Sequence, residues 1–219
     1  MVLFSCVTHF KYLQMMFDNY ERVPMGTIII YTNKRSLLDH SNDKFKLVYI
    51  EYSGTDHEFS RYIKMSGFKI LNKFPSIYVD SSVKVNIEKL NEIFFSSGLV
   101  FFNHPDRKLA HEELIYNFLV GKGGINSIFK FIYYSFKRGI GGRLALGGII
   151  IVSSNEYLSI LDNWKIEYKA LGIDRDQISL AYVKGKTLFD LPDAIYIGRN
   201  SFKPRFIIRV ILKIKRWIK

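Results

Sequence analysis

One short stretch decides the fold: Ser76-Ile77-Tyr78-Val79-Asp80-Ser81-Ser82. Its first four residues suit a buried β-strand, and Asp80 follows them with two small residues behind it. A strand that ends in this way brings one carboxylate to the edge of a sheet and leaves room beside it. Far along the chain, Asp174-Arg175-Asp176-Gln177 places two acids and an amide at the start of a predicted helix. We expect the two segments to converge at the carboxyl edge of one sheet, where crevices form in open α/β folds.

Strands and helices alternate on both sides of this stretch. Short β-branched or apolar runs predict strands, and apolar residues repeated every three or four positions predict helices. Ser153 and Glu156 have the spacing of a capping box at the start of the last long helix. The pattern predicts an α/β fold, a single domain with a mainly parallel sheet sandwiched by helices. The predicted strands cover 2–7, 27–32, 47–52, 77–80, 99–102 and 147–152, and the predicted helices cover 10–20, 59–71, 107–120, 127–137 and 158–171.

The composition and charge narrow the classes of protein and partner. The chain has 219 residues, of which 48% are hydrophobic and 16% aromatic, so an intrinsically disordered protein is excluded. The net charge of +12 predicts an anionic partner, which means nucleotide phosphates, nucleic acid or an acidic membrane. Cys6 is the single cysteine, so no intramolecular disulfide can form and nothing requires an oxidising compartment.

The sequence favours a cytoplasmic protein. The apolar start from Met1 to Val7 lacks the basic residues of a secretory signal and changes quickly to Thr8-His9-Phe10-Lys11. The longest apolar runs, such as Ile93 to Phe102, are too short to cross a bilayer. We therefore expect a soluble or peripheral protein on the cytoplasmic side.

The carboxyl end carries a separate signal. Residues 201–219 predict a basic amphipathic helix, because seven cations between 202 and 219 face no acid and apolar residues fill one arc of the helical wheel. Such a helix with Trp217 near its end suits the inner face of an anionic membrane. The alternative is a helix that packs on the core with its basic face in solvent.

Three motifs carry a resemblance to a known family. They are Tyr78-Val79-Asp80-Ser81-Ser82, His104-Pro105-Asp106-Arg107 with Glu112-Glu113, and Arg175-Asp176-Gln177-Ile178-Ser179. In this order they resemble nucleotide-sugar glycosyltransferases of the GT-A fold, in particular a glycosyltransferase-like family of bacterial polysaccharide loci and plant Golgi proteins. The resemblance spans about residues 2 to 197. It implies a GT-A-like domain over residues 1–200 that transfers a sugar from a nucleotide-diphosphate donor to a growing surface polysaccharide or a lipid-linked glycan.

The resemblance also implies roles for individual residues. Asp176 is the candidate catalytic residue, as general base if the enzyme inverts, or as a sugar-orienting group if it retains. A helix-start acid that complements the helix dipole is the alternative for Asp176. Asp80 is the candidate ligand of metal and diphosphate. The expected donor-binding set is Thr8, Asn33, Arg61, Lys69, Asp80, Ser82, Arg107, Gly147, Gly148 and Gln177. Arg61, Lys64 and Lys69 precede the Asp80 strand, and either one of them reaches the diphosphate or all three belong to a basic helix face in solvent.

One departure from the family pattern bears on the metal. Many GT-A enzymes carry Asp-x-Asp, whereas this chain has Asp80-Ser81-Ser82 and lacks the second acid. One carboxylate, two phosphates and water can still hold Mn²⁺ or Mg²⁺, which prefer oxygen ligands. The missing acid keeps a catalytically inactive scaffold of the same fold open as an alternative. A basic nucleic-acid-binding protein is the other alternative, although no nucleic-acid motif is visible outside the tail and we expect no such partner.

Overall fold

The structure, a computed structural model, describes residues 1–23, 26–86, 98–139 and 141–190, and the backbone of Tyr196–Arg199. The predicted tail helix over 201–219 lies outside these residues. The described strands are β1 (Val2–Cys6), β2 (Ile28–Thr32), β3 (Phe45–Tyr49), β4 (Ser76–Val79), β5 (Val83–Val85), β6 (Leu99–Asn103), β7 (Ala145–Val152), β8 (Thr187–Phe189) and β9 (Tyr196–Arg199). The described α-helices are α1 (Phe10–Tyr20), α2 (Asp56–Leu71), α3 (Ala110–Leu119), α4 (Ile125–Arg138), α5 (Leu158–Leu171) and α6 (Asp176–Leu180).

Seven strands form one mixed sheet in the order β3-β2-β1-β4-β7-β6-β8. Within it only β7 runs antiparallel, to both β4 and β6, while the other described pairings are parallel. A second, two-stranded sheet joins β5 to β9. The GT-A-like, Rossmann-like α/β sandwich expected from the sequence is therefore confirmed. Because β1, β2, β4 and β6 point the same way, their carboxyl ends meet at one edge.

One face of the sheet is covered by α1. Its apolar residues Leu13, Met16 and Tyr20 follow helical spacing and pack against inward-facing strand residues such as Leu3 and Ile77. The Tyr20 hydroxyl donates to the carbonyl of Val83 at 2.8 Å, which satisfies the polar end of a fully buried side chain. This contact fixes the chain immediately after the Asp80 turn.

The other face is covered by α2, α5 and α6. A capping box between Thr55 and Glu58 starts α2, and the residue after the helix, Asn72, ends it in the left-handed conformation with φ 46°. Gly67 lets α2 approach β1 closely, because a Cβ there would lie 2.5 Å from the ring of Phe4. The close packing brings the middle of α2 to the carboxyl ends of the strands.

The capping box predicted at Ser153 and Glu156 is wrong. The Ser154 hydroxyl instead donates to the Glu156 carboxylate at 2.9 Å, and a short 3₁₀ turn over Asn155–Tyr157 precedes α5. The sequence has the spacing of a capping box, but α5 begins at Leu158, about one turn further along the chain.

No helix among the described residues is both long enough and apolar enough to cross a bilayer.

Candidate functional site

A buried lysine joins the two acids that the sequence singled out. Lys64 Nζ on α2 lies 2.9 Å from Asp176 Oδ2 and 3.1 Å from Asp80 Oδ1. Asp80 follows β4, and Asp176 is the first residue of α6, 112 residues along the chain from Lys64. The predicted convergence of the two segments is therefore confirmed.

Arg61 and Tyr78 complete the surroundings of the carboxylates. Arg61 Nε lies 3.2 Å from Asp176 Oδ1, and the Tyr78 hydroxyl donates to Asp80 Oδ1 at 2.8 Å. We call Arg61, Lys64, Asp80 and Asp176 the Lys64 cluster. Its two positive and two negative side chains balance in formal charge.

Burial and charge act in opposite directions on Asp176. Burial by itself would raise the pKa of this carboxyl, but the charges of Arg61 and Lys64 outweigh it and hold the pKa below its ordinary value. Only 6% of the Asp176 side chain is exposed, whereas 22% of the Asp80 side chain is. Asp80 is therefore the carboxylate of the cluster that faces open space.

Backbone contacts hold both acids in place. The indole N–H of Trp164 donates to the carbonyl of Asp176 at 3.0 Å, and the amide of Asp80 donates to the carbonyl of Gly148 at 2.9 Å. A Cβ on Gly147 would lie 3.2 Å from Asp176 Oδ2, and one on Gly148 would lie 3.4 Å from Asp80 Oδ2. Gly147 thus lets β7 pass directly beside Asp176, whereas a Cβ on Gly148 would be tight against Val83 Cγ2 at 3.1 Å rather than against Asp80.

A cleft of about 370 Å³ opens beside Asp80 at the carboxyl edge. Thr8 and Ser82, both expected in the donor site, line it, together with Arg61. Asn33 does not line the cleft itself but donates to Asp56 Oδ1 at 3.0 Å. The other lining residues are Cys6, His9, Tyr12, Asp56, His57, Ser60, Tyr78, Asp80 and Ser81.

The rim of the cleft carries a second layer of ion pairs. Asp56 contacts Lys34 Nζ at 2.7 Å and His9 Nε2 at 3.4 Å, and the bond from Lys34 lowers the pKa of Asp56. His57 Nε2 lies 2.9 Å from Asp174 Oδ1, which lowers the pKa of Asp174. Both histidines line the cleft.

Two expected residues belong elsewhere. Lys69 lies near the carboxyl end of α2 with 70% of its side chain exposed, 3.9 Å from Asp162, because two helical turns separate it from Arg61. Arg107 lies 2.5 Å from Glu113 Oε2 and 2.7 Å from His104 Nε2. Neither side chain lines the Asp80 cleft.

We call His104, Arg107 and Glu113 the Arg107 cluster, and Gln177 connects it to the first cluster. With its amide oriented to satisfy both neighbours, Gln177 donates to Glu113 Oε1 at 3.3 Å and accepts from the amide of Gly147 at 3.2 Å. A second cavity of about 500 Å³ opens beside this cluster. It is lined by Asn103, His104, Pro105, Arg107, Lys108, Arg143, Leu144 and Asp190.

Sequence analysis gave Lys64 no more weight than Arg61 and Lys69. It offered Tyr78 and Glu113 only as members of motifs, without individual roles. A signal for Lys64 did exist, because on the helical wheel of α2 it falls between the buried residues Leu71 and Phe68. A lysine inside an apolar arc almost always has a charged partner. Tyr78 lies two residues before Asp80 and Glu113 six residues after Arg107, so both contacts are local, but the spacing of the apolar residues singles out neither side chain.

The residues of the cleft could supply only part of the ligand set of a divalent ion. Within the described residues, no three His, Cys, Asp or Glu side chains are grouped to hold a metal ion. Asp80 supplies one partly exposed carboxylate, and Ser81 and Ser82 supply hydroxyl oxygens nearby. The remaining ligands would have to come from a phosphate-bearing ligand and water, as expected for Mg²⁺.

Comparisons with known proteins give likenesses of fold. No family model matches the sequence, and no curated protein matches it. The bifunctional IspDF from Campylobacter jejuni is similar at a TM-score of 0.48 and 10% identity, over 92% of this chain and 52% of that one. A glycosyltransferase involved in the glycosylation of the major capsid of PBCV-1 is similar at a TM-score of 0.43 and 11% identity, over 87% of this chain and 82% of that one. This chain thus spans about half the length of the IspDF chain.

Proposed function

We propose that the protein is a glycosyltransferase that binds a nucleotide-diphosphate sugar in the Asp80 cleft. One observation carries the proposal: the Lys64 ammonium joins Asp80 and Asp176 at the edge of a cleft formed where parallel strands end. Ligands of open α/β sheets bind at this edge. The sugar would pass to a growing surface polysaccharide or a lipid-linked glycan, with the enzyme at the inner face of the membrane.

The polar groups that line the cleft suit a donor. Thr8 follows β1 and Asp56 starts α2, and they would offer a hydroxyl and a carboxylate to a nucleoside, with Asn33 holding Asp56 in place. Asp80 and Ser82 line the same cleft, and the diphosphate and sugar would lie next to them. The donor would therefore lie along the strand ends with its phosphates next to Asp80.

The charge balance of the Lys64 cluster bears on the leaving group. A departing nucleoside diphosphate is a polyanion and needs added positive charge in the transition state. Lys64 and Arg61 are already neutralised by Asp80 and Asp176. Mn²⁺ or Mg²⁺ held by Asp80 would supply Lewis-acid charge to the diphosphate, and His9 and His57 stand on the same cleft.

The surroundings of Asp176 favour an anchoring role over a general base. Both of its oxygens contact cations, and its lowered pKa is far from the operating pH that suits proton abstraction. As an anchor, Asp176 would hold Lys64 and Arg61 in position for Asp80. Its catalytic role as a base remains the alternative, and substitution separates the two.

The acceptor would enter from the second cavity. That cavity lies at the same sheet edge and carries Arg107, Lys108 and Arg143 against Asp190. Gln177 stands between this cavity and Asp176, through its contacts with Glu113 and Gly147. A sugar bound to Asp80 would then face an acceptor hydroxyl across Gln177.

Donor hydrolysis and transfer test the proposal. A thermal-shift screen of nucleoside diphosphates, with and without Mn²⁺, selects the base, because a bound ligand stabilises the native state by mass action. Asp80→Asn should then abolish turnover of the matching donor sugar, while Asp162→Asn, an exposed acid on α5, should leave it unchanged. Donor binding without turnover in the wild type would instead indicate an inactive scaffold. Tight, salt-dependent binding of oligonucleotides without nucleotide-sugar binding would favour a nucleic-acid-binding protein.

A further inference from the structure

Helix α4 exposes a continuous apolar stripe. Ile125, Phe129, Ile132 and Phe136 recur at helical spacing, and 64% of Phe129 and 93% of Phe136 are exposed. Tyr133 flanks the stripe and is also exposed. At 1.5 Å per residue, three turns of this kind extend about 16 Å. Contiguous exposed apolar surface of this size marks an interaction site.

The stripe is not the face that holds α4 on the protein. Ile128, Phe131 and Tyr134 lie on another side of the helix and pack with α5 and α6 residues such as Leu171 and Ile178. The helix α4 therefore has one apolar face that packs on the core and a second apolar face that is exposed. On α3, Ile115 and Phe118 are also exposed and extend the apolar character to the neighbouring helix.

Cations outnumber acids around the stripe, although Arg138 at the end of α4 pairs with Glu167 of α5 at 2.7 Å. From Leu114 to Asn155 the sequence contains no Asp or Glu, whereas it contains five cations. Lys130 and Lys137 lie on the flank of the stripe, with Lys130 Nζ bonded to the carbonyl of Gly172 and Lys137 over the ring of Tyr133. The cations of this segment are Lys122, Lys130, Lys137, Arg138 and Arg143.

We infer that α4, with the exposed end of α3, is a membrane-binding surface that inserts Phe129 and Phe136 into an anionic lipid leaflet. A helix with aromatic and aliphatic residues on one side and cations on its flank suits the boundary between headgroups and acyl chains. The cations attract anionic lipid, and the apolar stripe gains by leaving water. This surface is additional to the tail expected over 201–219.

The charge near the stripe favours an anionic lipid surface over the other possible partners of α4. The segment 202–219 carries seven cations and no acid, so its charge does not complement the cations of α4. A second copy of the chain would bring the same cations against each other. The inference does not depend on the proposed reaction, but α3 carries both Glu113 of the Arg107 cluster and the exposed Ile115. Membrane binding would therefore place the second cavity near the lipid surface.

Vesicle cosedimentation of the full chain tests the inference. The probes are vesicles of phosphatidylcholine alone and of equimolar phosphatidylcholine and phosphatidylglycerol. Phe129→Ser with Phe136→Ser should weaken partitioning onto the anionic vesicles by about tenfold or more, because two aromatic side chains no longer leave water. The matched control is Phe10→Ser, a half-exposed residue on α1 across the sheet, which should partition like wild type.

An unfolding temperature like that of the wild type would show that the double variant is folded. We expect this result because both side chains are exposed. Equal partitioning of the double variant and the wild type would overturn the inference, and so would loss of all binding on removal of 202–219 alone. A wild-type dimer that becomes a monomer in the double variant, without vesicle binding, would overturn it in favour of a second copy.

Discussion

The Lys64 cluster and the Arg107 cluster lie at the same edge of the sheet and are built in opposite ways. Lys64 joins residues 16 and 112 positions away, so three separate elements must be in place before its contacts exist. Arg107 contacts His104 and Glu113, which lie on its own turn and on the helix that follows. The first cluster therefore depends on the tertiary fold, and the second largely on local structure.

The two clusters also differ in what they leave open. In the Lys64 cluster, 22% of the Asp80 side chain is exposed toward a cleft, although the side chains of Lys64 and Asp176 are buried. In the second, Glu113 is almost fully buried and Arg107 is stacked on the ring of Tyr116 at 4.2 Å. We conclude that Asp80 is free to meet a ligand, while the Arg107 cluster shapes the wall of its cavity.

The largest effect should come from removing the long-range connection. Lys64→Met leaves two carboxylates without their shared ammonium in a buried site, which should cost about 3 kcal/mol of unfolding free energy. Urea denaturation measures this loss. Lys69→Met is the matched control on the same helix, because the Lys69 side chain is 70% exposed and should change stability little. Equal stabilities of the two variants would show that Lys64 does not hold the fold together.

A smaller loss is expected in the local cluster. Arg107→Met leaves Glu113 without its ion-pair partner, but Asn117 still donates to Glu113 Oε1 at 2.7 Å. We therefore expect a loss of about 2 kcal/mol in the same denaturation experiment, less than for Lys64→Met. A greater loss for Arg107→Met than for Lys64→Met would reverse the comparison between the clusters.

The smallest effect concerns acid stability. The pKa of Asp176 is lower in the folded protein than in the unfolded chain, so its contribution is complete above an unfolded pKa of about 4 and is lost as pH falls through the folded value. Asp176→Asn removes this contribution. The stability of the variant should therefore fall less steeply than that of the wild type below about pH 4. If the stabilities of the variant and the wild type depended on pH in the same way, protonation of Asp176 would not be the cause of the acid-induced loss of stability.

The same variant separates the proposed roles of Asp176. If it is an anchor, Asp176→Asn should lower stability and turnover together, because Lys64 and Arg61 lose their countercharge. If it is the base, kcat should fall strongly at unchanged donor affinity. Asp162→Asn serves as the exposed control for both readouts.

The sequence predicted most of the framework because the relevant signals are local. Apolar residues at helical spacing, among them Met16 and Tyr20, predicted α1, and the predicted bounds of α1 and α5 agree with the structure. The direction of β7 could not be predicted, since apolar runs such as Gly147–Val152 carry no information on strand orientation. The predicted tail at 201–219 lies outside the described residues and stays a prediction.

The site was predicted in part for the same reason. Asp80 and Asp176 end or begin an element, so sheet geometry alone brings them to one edge. Arg61, Lys64 and Lys69 were equivalent in the sequence as cations on α2, and only the packing of α2 on β1 decides that Arg61 lines the cleft and that Lys64 is buried. Lys64 was visible as a lysine inside an apolar arc, but its two partners depend on the order of the strands.

The most direct test is the binding of nucleoside diphosphate to wild type and Asp80→Asn, measured by titration calorimetry with and without Mn²⁺. We expect that the wild type binds one molecule, that Asp80→Asn binds at least about tenfold more weakly, which is about 1.4 kcal/mol, and that Asp162→Asn binds like wild type. Equal affinity of Asp80→Asn and wild type, in both conditions, would contradict the assignment of the Asp80 cleft as the donor site.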